Sequence, residues 1–176
     1  MELLLKNCAQ ILTQDNKRDI LKDKDILIKD GIITEIGKNL STDGKTIDCK
    51  NKLAMPGLIN THNHLAMSLF KGYGDDMPLD RWLQEKIWPA EAKLDDDSVM
   101  YGTLFAIIEM IKTGTTCFND MYLSSEAVLK AARSTGIRGF VAYGMIDLGN
   151  PEKTESEIEE ATNFLKNFTS DKTGLI

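Results

Sequence analysis

The sequence predicts an α/β fold in two parts, a short-strand β portion over residues 1–55 and an alternating strand–helix portion over residues 56–176. Three observations carry this. Residues 1–55 read as short apolar strands separated by polar turns, with no helical stretch. After Pro56-Gly57 the pattern becomes strand, helix, strand, helix, the signature of a parallel sheet with crossover helices. The first strand of that second part ends at His62 and His64, the only two histidines among 176 residues.

Composition narrows the function classes. Apolar residues make up 42% and charged residues 27%, as in an ordinary globular protein. The net charge is −6 and no run of Lys or Arg stands out, which argues against nucleic acid as a partner. Cys8, Cys49 and Cys117 are far apart, odd in number and form no CxxC pair, which suggests a reducing compartment. The apolar run at Leu3-Leu4-Leu5 is too short for a signal segment, and no window approaches the ~20 apolar residues of a membrane span. The expected location is the cytoplasm.

In the first part, Glu2 to Ala9 opens as a strand and Asp15-Asn16-Lys17-Arg18 turns the chain. Ile26-Leu27-Ile28 and Ile32 to Gly37 form a hairpin about Asp30-Gly31, because Asp-Gly tolerates positive φ. Thr42-Asp43-Gly44-Lys45 is a further turn and Thr46 to Cys49 a further short strand. Several short strands without a helix predict a small β-sandwich or a share of one.

In the second part, Leu58 to Thr61 reads as a buried strand leading to the histidines. A connection of roughly His64 to Asp95 follows, far longer than the ~2–6 residues usual in α/β units. It holds Trp82 and Trp88, and Leu79 to Ile87 reads as a short helix stopped by Pro89. Asp95-Asp96-Asp97-Ser98 starts a helix to Lys112 that is apolar over most of its surface and so expected to be largely buried, with Gly114 as its C-terminal cap. Thr115 to Phe118 is the second strand, ended by Asn119 and Asp120; Ser124 or Ser125 caps a helix to Gly136. Arg138 to Tyr143 is the third strand. Thr154 and Glu157 form a capping-box pattern for a helix to Phe168, with Ile158, Ala161, Leu165 and Phe168 on its apolar face. Thr173-Gly174-Leu175-Ile176 reads as the start of a fourth strand, so the chain is expected to be the first part of a longer protein.

Side chains at i and i+2 of a strand point the same way, so His62 and His64 present two imidazoles side by side. Zinc and similar ions take imidazole nitrogen, but a catalytic site needs three or more protein ligands. The alternative is that both are polar residues at a strand end, or substrate contacts. Their place at a carboxyl strand end favours the metal, because active sites of βα sheets and barrels lie there.

The segments Pro56-Gly57-Leu58-Ile59-Asn60-Thr61-His62-Asn63-His64, Asp75-Asp76-Met77-Pro78-Leu79 with Trp82-Leu83, Ile87-Trp88-Pro89-Ala90-Glu91 and Gly114-Thr115-Thr116 together resemble the metal-dependent amidohydrolase superfamily. More narrowly they are similar to the deaminases of 5′-methylthioadenosine and S-adenosylhomocysteine, with the related chlorohydrolases and triazine hydrolases. The resemblance implies the first part of a TIM (β/α)8 barrel, about three βα units plus the start of a fourth strand. Residues 1–55 would be the N-terminal share of a small β-sandwich. It implies that His62 and His64 bind one divalent metal ion, Zn2+ or else Fe2+, with the remaining ligands and the proton-transfer groups after residue 176. Glu91 matches a carboxylate that accepts hydrogen bonds from ribose hydroxyls, against the plainer reading of a solvated acid. Trp82 matches an aromatic lining the base or thioether pocket, against plain packing under a long loop. Tyr143 stands where these deaminases often carry an Arg that reaches the substrate, which leaves the exact nucleoside open. Asp120 is read as fixing a loop or supporting the site, against a surface turn. The implied partner is a small-molecule nucleoside, with no nucleic acid or membrane, and a homo-oligomer is compatible. The implied reaction is hydrolytic deamination at C6 of an adenine ring. The alternatives are hydrolysis of another amino- or chloro-substituted ring (guanine, cytosine or triazine type), or a non-catalytic fragment as it stands.

Overall fold

The computed structural model describes residues 1–168. It divides into two compact units, Met1–Pro56 and Gly57–Ile176. The proposed fourth strand at 173–176, and the turn before it, lie outside the described residues.

The first unit is one five-stranded sheet: β1 (Glu2–Leu12), β2 (Ile20–Lys29), β3 (Ile32–Gly37), β4 (Lys45–Asp48) and β5 (Leu53–Ala54). The order is β3-β2-β1-β4, with β5 also beside β1. β1 runs antiparallel to β2 and parallel to β4 and β5. The hairpin turns where expected, with Asp30 and Gly31 at φ 49° and 80°, the left-handed pair that matches strand twist. Cys8, Ile11, Ile26 and Cys49 pack as the core of this unit. A bulge in β1 frees the Asn7 amide, which donates to the buried Asp25 carboxylate at 2.7 Å. The second Asp25 oxygen accepts from Leu40 N–H at 2.9 Å. One carboxylate thereby satisfies two backbone donors that the ladder leaves over.

The second unit is a parallel sheet, β6-β7-β8, of β6 (Leu58–Asn63), β7 (Thr115–Tyr122) and β8 (Arg138–Tyr143). A 3-10 segment, Leu65–Phe70, follows β6. Then come α1 (Leu79–Trp82), a π segment (Leu83–Ile87) and α2 (Trp88–Glu91). The crossover helices are α3 (Asp96–Lys112) and α4 (Ser125–Thr135), and α5 (Pro151–Phe168) follows β8. Phe118, Val99, Ile107, Val128 and Ala131 form the core between sheet and helices. Gly102 of α3 is there for closeness: a Cβ would stand 2.8 Å from the Ala66 carbonyl oxygen. This contact seats the 3-10 segment, and with it the end of β6, against α3.

Several expectations are corrected. Pro89 does not stop the helical run, which passes through it to Glu91. The π segment is the reason: Trp88 N–H bonds to Leu83 O, five residues back. The widened turn makes room for the proline ring. β6 is not a buried strand, since Leu58 and Ile59 are 50% and 66% exposed. It is the edge of the three-stranded sheet, so one side of it has no neighbour among the described residues. α3 is buried on one face only; Tyr101, Phe105, Ile108 and Ile111 are exposed. β7 does not end at Asn119 and Asp120 but runs on to Tyr122. Ser124 precedes α4 without a side-chain capping bond. The Thr154–Glu157 capping box does not form. α5 starts earlier, with Pro151 first and the Asn150 side chain accepting Glu152 N–H at 3.1 Å. Thr154 instead donates to Asp147, and Glu157 accepts Ile146 N–H. The buried side chain of α5 is Phe164, while Ile158 and Leu165 are exposed.

Candidate active site

The site is built where β6 ends beside β7. The ladder between them slips between Asn60 and Asn63. Two side-chain amides bridge the gap: Asn63 Nδ2 donates to Asn119 O at 3.3 Å and Asn119 Nδ2 to Thr61 O at 3.2 Å. The irregular strand end is thus held to its neighbour by side chains as well as by the Asn63–Asp120 pairing; it carries His62, with His64 directly after it.

The imidazoles of His62 and His64 lie edge to face with centroids 5.3 Å apart. His64 Nδ1 is 2.8 Å from the Met121 carbonyl oxygen. A carbonyl only accepts, so Nδ1 carries a proton, and in the neutral ring the lone pair then lies on Nε2. Metal-binding histidines are commonly fixed in this way, one ring nitrogen donating to a backbone carbonyl and the other facing the ion. The donor chemistry therefore fits an ion such as zinc. The set is partial: among the described residues no group of three or more His, Cys, Asp or Glu side chains is placed to hold a metal.

The two residues flanking Met121 also reach across. Asp120 is buried, and its Oδ1 accepts Leu65 N–H at 2.9 Å, directly after His64. Its Oδ2 is buried without a partner. Burial pushes the Asp120 carboxyl up to about 6, against the opposing pull of the Leu65 amide and His64. Asp120 is therefore no surface turn; it pins the chain just beyond the second histidine. Tyr122, also buried, donates its hydroxyl to Glu91 Oε1 at 2.8 Å. Its ring centroid is 6.4 Å from that of His64. Burial, then the Glu91 carboxylate, push the Tyr122 hydroxyl well above its ordinary value, so it stays a donor.

The structure thus brings Glu91 into the neighbourhood of His64 through Tyr122. Trp82 and Tyr143 have other surroundings. Trp82 donates its indole N–H to Tyr73 O at 2.9 Å and lines a 420 Å³ cleft with Met67, Phe70, Tyr73 and Met77. Tyr143 lies opposite Tyr122 in the parallel register. Its hydroxyl donates to Glu160 of α5 at 2.6 Å and its ring sits 6.3 Å from Phe164. The expectation that Tyr143 faces a substrate meets a hydroxyl already engaged by a helix. Sequence reasoning missed Tyr122, the Met121 carbonyl and the Asn63–Asn119 bridge. Alternation of Phe118, Asp120 and Tyr122 at i, i+2 and i+4 was the signal for a longer β7.

Comparisons with known proteins place the chain in a family. Residues 53–176 match the model of the amidohydrolase family. The chain is 51% identical over 176 residues to a 5′-deoxyadenosine deaminase of Methanosphaera stadtmanae, covering 98% of this chain and 41% of that protein. It is 44% identical over 167 residues to a 5-methylthioadenosine/S-adenosylhomocysteine deaminase of Thermococcus onnurineus, covering 94% of this chain and 39% of that protein. The chain therefore spans about two-fifths of the length of these relatives. A solved adenosine deaminase from Xanthomonas campestris with bound zinc superposes with a TM-score of 0.73 at 26% identity, over 93% of this chain and 39% of that one. With the family match spanning most of the sequence and two relatives above 40% identity, the chain belongs to the amidohydrolase family.

Proposed function

We propose that this chain is the amino-terminal part of a metal-dependent (β/α)8 hydrolase that deaminates an adenosine-type nucleoside. Residues 1–55 are the N-terminal share of its small β-sandwich, and β6, β7 and β8 are the first three barrel strands. The observation that carries the reading is the pair of imidazoles at the carboxyl end of β6, with His64 Nδ1 donated to Met121 O and Nε2 left for an ion. The relatives named as deaminases of 5′-deoxyadenosine and of 5-methylthioadenosine/S-adenosylhomocysteine support the substrate class. The zinc in the adenosine deaminase structure supports the ion.

In this reading His62 and His64 supply two nitrogen ligands to one divalent ion, Zn2+ or Fe2+. When bound, that ion supplies Lewis acidity and an activated water at neutral pH. The residues of this chain then hold and orient. Asp120 and the Met121 carbonyl fix the segment that presents His64. Glu91 accepts hydrogen bonds from the ribose hydroxyls. Trp82, on the wall of the cleft, packs against the apolar 5′ substituent or the base. Tyr143 reaches substrate only by releasing Glu160, so it is given no role here. The proton-transfer groups belong to the part of the enzyme that follows.

The test is absorbance. Full-length protein with zinc should convert 5′-deoxyadenosine, 5′-methylthioadenosine or S-adenosylhomocysteine from an adenosine-like to an inosine-like spectrum. His62→Ala should lose both the shift and stoichiometric zinc. No shift with any of the three nucleosides, or full zinc in the variant, would overturn the reading.

A further inference from the structure

Three consecutive residues at the end of β7 each hold one point of the candidate site. Asp120 takes Leu65 N–H, the Met121 carbonyl takes His64 Nδ1–H, and Tyr122 gives its hydroxyl to Glu91. The first two act on the histidine end. The third acts 27 residues further along the chain, on the last residue of α2. Glu91 is half-buried and follows a π segment and a proline, in a connection anchored upstream to α3, where Ser68 donates to Gly102 O at 2.7 Å and Lys71 pairs with Glu109. Those anchors hold the backbone upstream of Glu91; the carboxylate itself does not hold its own position. Tyr122 does: it is buried in the core beneath α3 and α4, and only its hydroxyl reaches the Glu91 side chain.

We propose that Tyr122 is a positioning residue that sets the reach of the Glu91 carboxylate relative to the His64 ring, and so selects nucleosides over free bases. This rests on the reading of Glu91 as the ribose acceptor. The geometry is economical. A carboxylate has two oxygens and about four acceptor directions. Tyr122 occupies one direction on Oε1 and leaves Oε2 for a vicinal diol. Among the described residues, the hydrogen bonds of Met121 and Tyr122 tie His64 and Glu91 to one strand end. One strand end thus holds a point on each side of the span from metal ligand to ribose acceptor, and Tyr122 supplies the point on the carboxylate. A substrate must carry a diol at the right distance from its reacting ring carbon to use both.

Steady-state kinetics of the zinc-loaded full-length enzyme tests this. Tyr122→Phe keeps the buried ring and removes the one hydrogen bond. KM for the preferred nucleoside should rise about tenfold, the equivalent of one lost well-placed hydrogen bond, while kcat changes less than threefold. Inhibition by the 2′,3′-dideoxy analogue, which has no diol, should be unchanged. In a Glu91→Gln background, Tyr122→Phe should add no further rise, because the two act as one unit. A KM rise that persists in the Glu91→Gln background makes Tyr122 a direct contact and overturns the positioning role. An unchanged KM in Tyr122→Phe, with a raised KM in Glu91→Gln, overturns this proposal and leaves the function reading intact. An unchanged KM in both variants overturns this proposal together with the ribose role of Glu91.

Discussion

Asp120 is the residue where stability and the site meet. It is 1% exposed, one oxygen pins Leu65 and the other has no partner. Burial raises its carboxyl from 3.8 to about 6, so the native state holds the proton more tightly than the unfolded chain. The linkage sign follows. Its stabilising contribution is complete below pH 3.8 and is lost as pH rises through 6. Between pH 5 and pH 7.5 the metal-free protein should lose about 1 kcal/mol of unfolding free energy on this account. Asp120→Asn has no proton to give up and should abolish that slope while keeping an acceptor for Leu65 N–H. Urea unfolding of both proteins at the two pH values measures it. Equal slopes would show that the Asp120 carboxyl does not titrate in this window.

At the scale of elements, what could be read in advance was whatever depends on local chemistry. The Asp30-Gly31 hairpin, the Asp95 start of α3 and the Gly114 stop all depend on a few adjacent residues, and all formed where expected. The expectations that moved depend on neighbours remote in sequence. Thr154 and Glu157 have the spacing of a capping box, but Asn150 and Pro151 nucleate the helix a turn earlier and the two side chains go elsewhere. Pro89 has no way of showing, in sequence, that a π turn ahead of it relieves its clash. In the site, His62 and His64 were legible because strand alternation alone pairs them. Tyr122 was not, because its partner Glu91 is 31 residues away. The Asp95 cap is the clearest element-level test. Its carboxylate accepts both Ser98 N–H at 2.8 Å and the Ser98 hydroxyl, which hold its pKa below the usual carboxylate range. Asp95→Ala should lower the thermal midpoint through loss of the cap, without changing zinc content. Loss of zinc in that variant would mean that α3 transmits its register to β6.

At the scale of the molecule, the described part of the second unit is an open three-stranded sheet with the histidine pair at one strand end. β6 and β8 are the two edges of its sheet, and Leu58, Ile59 and Phe140 are exposed along them. Phe105, Ile108 and Ile111 are likewise exposed on α3. A (β/α)8 barrel buries such strand surfaces by closing on eight strands, and places its chemistry at their common carboxyl end. Here the end of β6 presents two imidazoles, α2 the tethered carboxylate and α1 the tryptophan of the cleft. The relatives are about two and a half times as long, which is where further strands and ligands would come from. Two ligands also bind an ion more weakly than a set of three or four, and an ion so held is readily lost to water. The 176-residue chain on its own should therefore release no measurable ammonia from 5′-deoxyadenosine or 5′-methylthioadenosine, even with zinc added. A full-length protein that acts as proposed should, by contrast, turn over within the ordinary range of about 1–1000 per second. Coupled ammonia detection on both proteins at equal concentration decides it. Turnover by the short chain at a rate comparable to the full-length enzyme would mean that the described residues already contain the proton-transfer groups, and would move the search for them to Asp120 and Glu91.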